Sequence, residues 1–291
     1  MIFIIKHATI NDKDAIINIW YNCFLEDSER FVNVFLNTCF AFDRCLLWEQ
    51  NGKPVAMLHL LPHIIKTHNK DYKTQYLYAA ATLPEYRSQG IMGKLMQAAE
   101  QDGIQYGYEY TVLLPATQSL YKFYEANGFT TAFNVKKAQV TRKELLNIAY
   151  GNFTLLLKSQ NNISASRLRY KFYNNAVIIT EELSDYIAQE WIYNGGKILQ
   201  FDEGFIYYIE KGNDVHVKEM CGSKLLYKSM LATLLQNTIG EHFYFYLNPS
   251  VDIFSKAENK KIAMIKPITQ MDENIKTLIQ NNILSINMML E

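Results

Sequence analysis

Hydrophobic and polar positions change period many times along the 291 residues. IFIIKHAT near the start is isoleucine-rich and predicts a strand. NDKD then offers an N-cap, and AIINIWYNCF puts Ile16, Ile19, Trp20 and Cys23 at helical spacing. DSERFVNVFLNTCF predicts a second helix, capped by Asp27 or Ser28. RCLLWEQ, Asn51-Gly52-Lys53 and PVAMLHLLPHIIKTH read as a strand, a turn and a longer strand, the pattern of a hairpin. TQYLYAAATL predicts another strand, and its small residues suit a central place in a sheet.

GIMGKLMQAAEQDGIQYG predicts a helix with Ile91, Leu95, Ala98 and Ala99 on its buried stripe. YEYTVLLPA predicts a strand, TQSLYKFYEANGF a short helix ended by Gly128, and TTAFNVKKAQVT a strand. The order to about residue 145 is therefore β-α-α-β-β-β-α-β-α-β. Residues 146–194 read as a helical connector that includes LSDYIAQEWIYN. Beyond it come a meander (KILQF, FIYYIE, VHVKEM), the amphipathic helix CGSKLLYKSMLATLLQ and the strand HFYFYLN. This repeats the element order of 45–115 without repeating its sequence. KKIAMIKPI predicts a late strand and ITQMDENIKTLIQNN a helix. The apolar end, ILSINMMLE, reads as a final strand or as more of that helix.

Composition narrows the functional classes. Hydrophobic residues are 49% and charged residues 20%, as in a folded water-soluble protein. The formal net charge is zero, which argues against a nucleic-acid partner held by a basic surface. Cys23, Cys39, Cys45 and Cys221 form no CxxC pair, and no histidine cluster has zinc-ligand spacing, so no metal is expected. The opening MIFIIKHATINDKD is apolar for five residues only, too short for a signal-peptide core. No apolar run approaches the roughly 20 residues of a membrane helix. The expectation is a cytoplasmic protein without a membrane partner.

Residues 83–96, LPEYRSQGIMGKLM, raise the first chemical question. Pro84 breaks the chain between a strand and a helix, with Arg87, Gln89 and Gly90 at the turn. Either the turn simply needs glycine, or an anion sits on the helix N-terminus, where free N–H groups and a partial positive charge await it. There is no Gly-Lys-Ser/Thr, so this is not an NTPase phosphate loop.

The turn resembles the Arg/Gln-x-x-Gly-x-Gly/Ala signature of the GNAT superfamily of acyl-CoA-dependent N-acetyltransferases. Here it reads Arg87-Ser88-Gln89-Gly90-Ile91-Met92-Gly93, with the second glycine displaced by one. That departure is similar to the enhanced-intracellular-survival branch. Thr82-Leu83-Pro84-Glu85-Tyr86 matches the superfamily's Val-x-Pro-x-Tyr lead-in with Thr for Val, and FYEANGF at 123–129 matches its second signature. Together the matches cover about half the chain.

The resemblance implies an α/β fold with a mixed sheet, made of a GNAT domain at 1–145, a connector at 146–194 and a degenerate GNAT-like lobe at 195–291. It implies that acetyl-CoA is the co-substrate and binds Thr82, Leu83, Arg87, Ser88, Gln89, Gly90, Ile91, Met92 and Gly93. Backbone groups of Thr82 and Leu83 would polarise the thioester. The acceptor would be a small-molecule or peptide amine. The family's general acid is a tyrosine four residues before the glycine of the closing Gly-Phe, which selects Tyr124. A packing aromatic is the plainer reading of Tyr124, and Tyr121 lies one turn earlier. The base is open. His59 and His63 share one face of their strand but are residue types more often buried in cores. Water, or the carboxylates of Glu291, are the other candidates. Glu26, Asp27 and Glu29 lie where the family builds its acceptor pocket. Met220-Cys221-Gly222-Ser223 occupies the corresponding turn of the second lobe and lacks the arginine, so one coenzyme per chain is expected. A non-catalytic acyl-CoA-binding module and a tandem GNAT-fold aminoacyltransferase are the alternatives. Oligomeric state is open.

Overall fold

Asn51 (φ 51°) and Gly52 (φ 78°) both take left-handed backbone, which makes the predicted Asn-Gly hairpin turn. The structure, a computed structural model, describes residues 2–149 and 164–286. These fall into two units: 2–64, 72–130 and 264–272 in the first, and 65–71, 131–149, 164–263 and 273–286 in the second.

The first unit runs β1 (Phe3–His7), α1 (Lys13–Cys23), α2 (Glu29–Thr38), β2 (Cys45–Gln50), β3 (Lys53–Lys66), β4 (Asp71–Thr82), α3 (Ile91–Gln105), β5 (Tyr110–Leu113) and α4 (Gln118–Ala126). Strands β1 to β5 lie side by side in chain order. The β1/β2 and β2/β3 pairs are antiparallel, and β4/β5 is parallel. A crossover helix, α3, is what a parallel pair requires. Residues 264–267, from late in the chain, add an antiparallel neighbour to β5. Helix α1 buries Ile16, Ile19 and Trp20, and α2 buries Val32 and Phe35. The α2 cap is Ser28, whose hydroxyl accepts the Phe31 N–H at 3.1 Å. Asp27 is thereby left for another role.

The chain continues with β6 (Thr130–Thr141), α5 (Arg142–Ala149), α6 (Ala165–Phe172), β7 (Ala176–Ile179), α7 (Glu181–Tyr193), β8 (Lys197–Phe201), β9 (Gly204–Lys211), β10 (Asp214–Gly222), α8 (Tyr227–Gln236), β11 (His242–Leu247), β12 (Ala257–Pro267) and α9 (Glu273–Gln280), which make up the second unit apart from Thr130 and residues 264–267. The order is β6-β11-β10-β9-β8. Strands β8, β9 and β10 form an antiparallel meander, and β10 then pairs in parallel with β11 after α8. The first unit has the same plan in β2, β3, β4, α3 and β5, so the repeat read from element order is a repeat of topology. Val215, Val217, Phe243 and Phe245 alternate inward and pack on Met230, Leu231 and Leu234 of α8 and Leu145 of α5.

Two expectations are revised. Strand β6 does not close the first unit: Lys136–Thr141 pair with Leu247–His242 of β11. The described part of 146–194 carries the expected helices as α6 and α7, but it also contains the buried strand β7 and falls in the second unit. A four-residue apolar run such as AVII carries no period that separates strand from helix.

The second unit also buries an ion pair. Arg169 of α6 donates from Nε and Nη2 to both oxygens of Glu219, the shortest bond being 2.7 Å, and Nη1 donates to Ser184 at 2.8 Å. Both charged side chains are almost wholly excluded from solvent. Burial alone would lower the Arg169 pKa, but the charge and hydrogen bonds of Glu219 more than offset it and hold the guanidinium ionised.

Near the C-terminus, Leu284 and Ile286 are buried, and Ser285 bridges Asn134 and Ala176 in parallel fashion. This is strand-like chain. Glu291 lies outside the described residues.

Candidate active site

Strand β4 outlasts its partner. Its register with β5 runs from Thr74↔Tyr110 to Tyr76↔Val112, while β4 continues to Thr82. Ala79 takes φ 45°, a left-handed conformation that β-carbon sterics disfavour. Such a residue inside a strand re-aims the groups after it. The Leu83 N–H donates to Val55 O at 2.9 Å, so it faces β3. Backbone groups alternate sides along a strand, so the neighbouring Thr82 N–H faces the side where β5 has ended.

The turn to α3 follows. Ser88 (φ 61°) and Gly90 (φ 73°) are both left-handed. Such residues gather successive N–H groups into concavities that hold anions. Gly90 is the N-cap of α3 and supplies no side-chain cap, and the first turn carries no acidic residue. In contrast, Thr180 caps α7, whose first turn carries Glu181 and Glu182. The first N–H groups of α3 are therefore uncapped, and their partial positive charge is not offset locally. A β-carbon placed on Gly90 meets nothing within 4 Å. The space beside the turn is open.

The other predicted residues divide by role. Arg87 donates from Nε to Thr82 O at 3.0 Å, and its Nη2 lies 3.8 Å from Cys23 Sγ. It ties the strand end to α1. Gln89 donates to Glu85 O at 3.4 Å, within the turn. Ile91 is buried, and Met92 is half-buried. Gly93 has a packing reason: a β-carbon there would lie 3.2 Å from Asn127 Oδ1, at the end of α4. The displaced second glycine thus lets the first turn of α3 approach α4.

Tyr124 sits on α4, one turn before Asn127. The residue is 8% exposed, and its ring meets Phe123 and Phe129 edge-on at 5.2 and 5.7 Å. Among the described residues its hydroxyl has no hydrogen-bond partner. Burial pushes its pKa up to about 12, so it keeps its proton at neutral pH. Tyr121 is half-exposed, with its pKa raised by burial. Gly128 ends α4 with φ 88° and packs on Lys266, which pairs with Glu100.

The histidines do not suit a base. His59 is enclosed by the rings of Trp20, Phe35 and Phe40, with centroids 5.4–5.6 Å away. Neither of its nitrogens has a partner among the described residues. His63 stacks on Tyr76 at 5.3 Å and sets Nδ1 2.5 Å from Pro62 O. Burial lowers their pKa values to about 3 and about 4. Groups that weak accept a proton from an amine poorly.

Asp27 was legible only as one of three acids in a loop. The Trp20 indole N–H donates to its Oδ2 at 2.7 Å. Burial raises its pKa, and it lies close enough to Tyr78 of β4 to raise that group's pKa as well. Among the described residues, no group of three or more His, Cys, Asp and Glu side chains has an arrangement that could hold a metal. No described helix is long and apolar enough to cross a membrane.

Residues 4–132 match the family model described as an acetyltransferase (GNAT) domain. This part of the chain, less than half of the whole, is similar to GNAT domains. Solved structures extend the likeness. A GCN5-related N-acetyltransferase from Kribbella flavida superposes with a TM-score of 0.70 at 14% identity, over 91% of this chain and 70% of its own. A probable N-acyltransferase from Enterococcus faecalis gives 0.73 at 12% identity, over 92% and 73%. Eis1 from Mycobacterium abscessus gives 0.70 at 9%, over 92% and 74%. At these identities the likeness is one of fold. It extends over both units. No curated protein matches the chain in sequence.

Proposed function

We propose that residues 4–132 form a GNAT domain that transfers an acetyl group from acetyl-CoA to a primary amine by direct attack in a ternary complex. The observation that carries this reading is the uncapped N-terminus of α3 beside the free end of β4. The pyrophosphate of the co-substrate fits the open N–H groups at Gly90, Ile91 and Met92, since glycine leaves the approach clear. The acyl arm then lies along β4 beyond Tyr76, where β5 no longer occupies the hydrogen-bonding edge.

In this scheme the amine nitrogen attacks the thioester carbonyl, and the oxygen gains negative charge. A backbone N–H on the open side of β4 stabilises that charge, a contribution of about 2.7–4 kcal/mol for a comparable donor. Thr82 and, two residues back, Ala80 are the donors that alternation selects; Leu83 is already bonded to Val55. As the C–S bond breaks, the Tyr124 hydroxyl donates its proton to the leaving sulfur. A pKa near 12 makes the phenol a weak acid, but the same exclusion of water raises the proton affinity of the thiolate. The proton lost by the attacking nitrogen passes to water. Asp27 would hold a cationic acceptor.

The test measures thiol release from acetyl-CoA with a panel of primary amines, with mass spectrometry of the acetylated product. Amine-dependent release supports the reading. Binding of acetyl-CoA without release with any amine would favour a non-catalytic acyl-CoA module.

A further inference from the structure

Strand β1 stands at one end of the strand order and has a neighbour, β2, on one side only. Two bonds fix which of its backbone groups β2 uses. The Asn51 N–H donates to Ile2 O at 3.1 Å, and the Ala8 N–H donates to Cys45 O at 2.8 Å. Hydrogen-bonded pairs recur at every second residue of an antiparallel ladder, so Ile4↔Glu49 and Lys6↔Leu47 are the pairs between them. The N–H and C=O groups of Phe3, Ile5 and His7 therefore point away from β2. Among the described residues, no other group bonds them.

Edge strands are normally blunted by a proline, a bulge, a free charge or a covering segment. Phe3–His7 contains no proline, and its register with β2 runs without a shift. Its lysine is not free: Lys6 Nζ is held by Asp12 at 2.9 Å and by Glu49 at 2.8 Å. His7 is held by Asp102 of α3 at 3.0 Å. Ile2, Phe3 and Ile4 are about half exposed or more. The strand thus offers unpaired backbone flanked by apolar side chains. Nothing in the acetyl-transfer scheme uses it.

We propose that β1 pairs antiparallel with β1 of a second copy of this chain, about a two-fold axis at Ile5. In that register Ile5 meets Ile5, and Phe3 of each copy meets His7 of the other. Every outward N–H of one strand then faces an outward C=O of the other, so the self-pairing leaves none of these groups unsatisfied. Ile4 meets Lys6 of the second copy, whose charge is already offset by Asp12 and Glu49 of its own chain. The charges on the α3 side are complementary. Lys94 Nζ lies 5.1 Å from the Phe3 ring centre, and Asp102 bonds His7. Pairing Phe3 with His7 therefore brings Lys94 of each copy toward Asp102 of the other. An unrelated peptide strand would satisfy the backbone but would not supply these charges. The interface is independent of the acetyl-transfer reading.

Sedimentation of the full chain over a range of concentrations tests this. The expected result is a monomer–dimer equilibrium with dimer populated at about 0.1 mM chain. Two variants report on the strand edge. Ile5→Pro removes an N–H that points away from β2, so the β1/β2 ladder keeps its bonds, as proline on an edge strand allows. It removes two bonds from the dimer and should weaken it about tenfold or more. Ile4→Lys faces Glu49 within its own chain, which favours the fold, and faces Lys6 of the second copy, which opposes pairing. It should weaken the dimer about fivefold or more. If Ile5→Pro fails to fold, Ile4→Lys carries the test, with hydrogen exchange of the wild-type Phe3, Ile5 and His7 amides, which should slow as dimer forms. A chain that stays monomeric at about 0.1 mM overturns the proposal. So does an oligomer of any size that neither variant weakens, which would place the interface on another surface. Weakening by Ile5→Pro alone would overturn the axis at Ile5, and weakening by Ile4→Lys without slowed exchange would overturn strand pairing.

Discussion

Asp27 Oδ2 accepts the indole N–H of Trp20 at 2.7 Å, and Ser28, not Asp27, caps α2. A half-buried carboxylate that caps nothing is held in place by one donor. Its pKa is raised by burial, against the lowering effect of the indole. The other oxygen can meet a cation. Asp27→Asn keeps an acceptor for Trp20 and removes the charge. The expected outcome is a KM for a cationic acceptor raised about tenfold, with acetyl-CoA affinity unchanged. Steady-state kinetics with a diamine and a neutral hydroxyalkylamine checks it. Equal KM changes for both acceptors would remove Asp27 from charge recognition.

Gly90 gives a clean test of the phosphate turn. Its φ of 73° disfavours any side chain, but asparagine and aspartate tolerate that region best. A side chain there meets no protein atom at its β-carbon. Gly90→Asn and Gly90→Asp should therefore fold alike and differ in charge. Acetyl-CoA should bind Gly90→Asp at least about tenfold more weakly than Gly90→Asn. Calorimetry on the two variants decides it, and equal affinities would show that no phosphate lies against this turn.

Tyr124→Phe separates chemistry from packing. The ring is buried among Phe123 and Phe129, while its hydroxyl has no partner among the described residues. Removing the oxygen should leave thermal stability intact. General acid catalysis contributes about 10²–10⁴-fold, so kcat should fall in that range with acetyl-CoA affinity kept. Full activity in this variant together with its loss in Tyr121→Phe would exchange the two roles.

Much of this was legible in the sequence because it is local. The Asn51-Gly52 turn, the break at Pro84, the glycine at 90 and the Gly128 stop all need backbone that few residues adopt. The two-lobed order followed from the spacing of turns and periodic segments. Other features depend on partners far apart in the chain. The Leu83 N–H bonds Val55, and Arg169 finds Glu219 fifty residues on. No period or motif reports such pairs. The motif makes Gly93 a ligand contact, and its approach to Asn127 adds a packing reason for glycine that no motif carries. Strand β7 is too short to carry a period.

The buried histidines give a pH dependence. Their folded pKa values, about 3 for His59 and about 4 for His63, lie below the unfolded value of about 6.5. The unfolded chain therefore binds more protons between those values, and stability rises with pH across that window. It is fully present above the unfolded pKa and is lost as pH falls toward the folded values. By pH 5 each histidine should have removed about 2 kcal/mol relative to pH 8. Urea denaturation at the two pH values measures the sum. His59→Phe, which suits an aromatic enclosure, should reduce the difference by about half. An unchanged difference would mean that His59 titrates normally in the folded chain.

The Arg169–Glu219 pair carries the last prediction. Three bonds between guanidinium and carboxylate, a fourth to Ser184 and near-complete burial make each charge depend on the other. Arg169→Met removes the cation and leaves Glu219 without compensation, beside the apolar rings of Phe205 and Tyr207 that the guanidinium faced. Removing one partner of such a pair costs about 3–5 kcal/mol. Replacing both by apolar residues of similar volume is often neutral, because the dehydration of both charges is then avoided. Arg169→Met should therefore destabilise the chain strongly, and adding Glu219→Met should recover most of the loss. A double variant as unstable as the single one would show that Ser184 and the surrounding packing, not the unpaired charge, set the cost. Acetyl transfer by the first unit is the second readout. If the pair serves the fold of the second unit alone, kcat per folded molecule stays unchanged in the double variant.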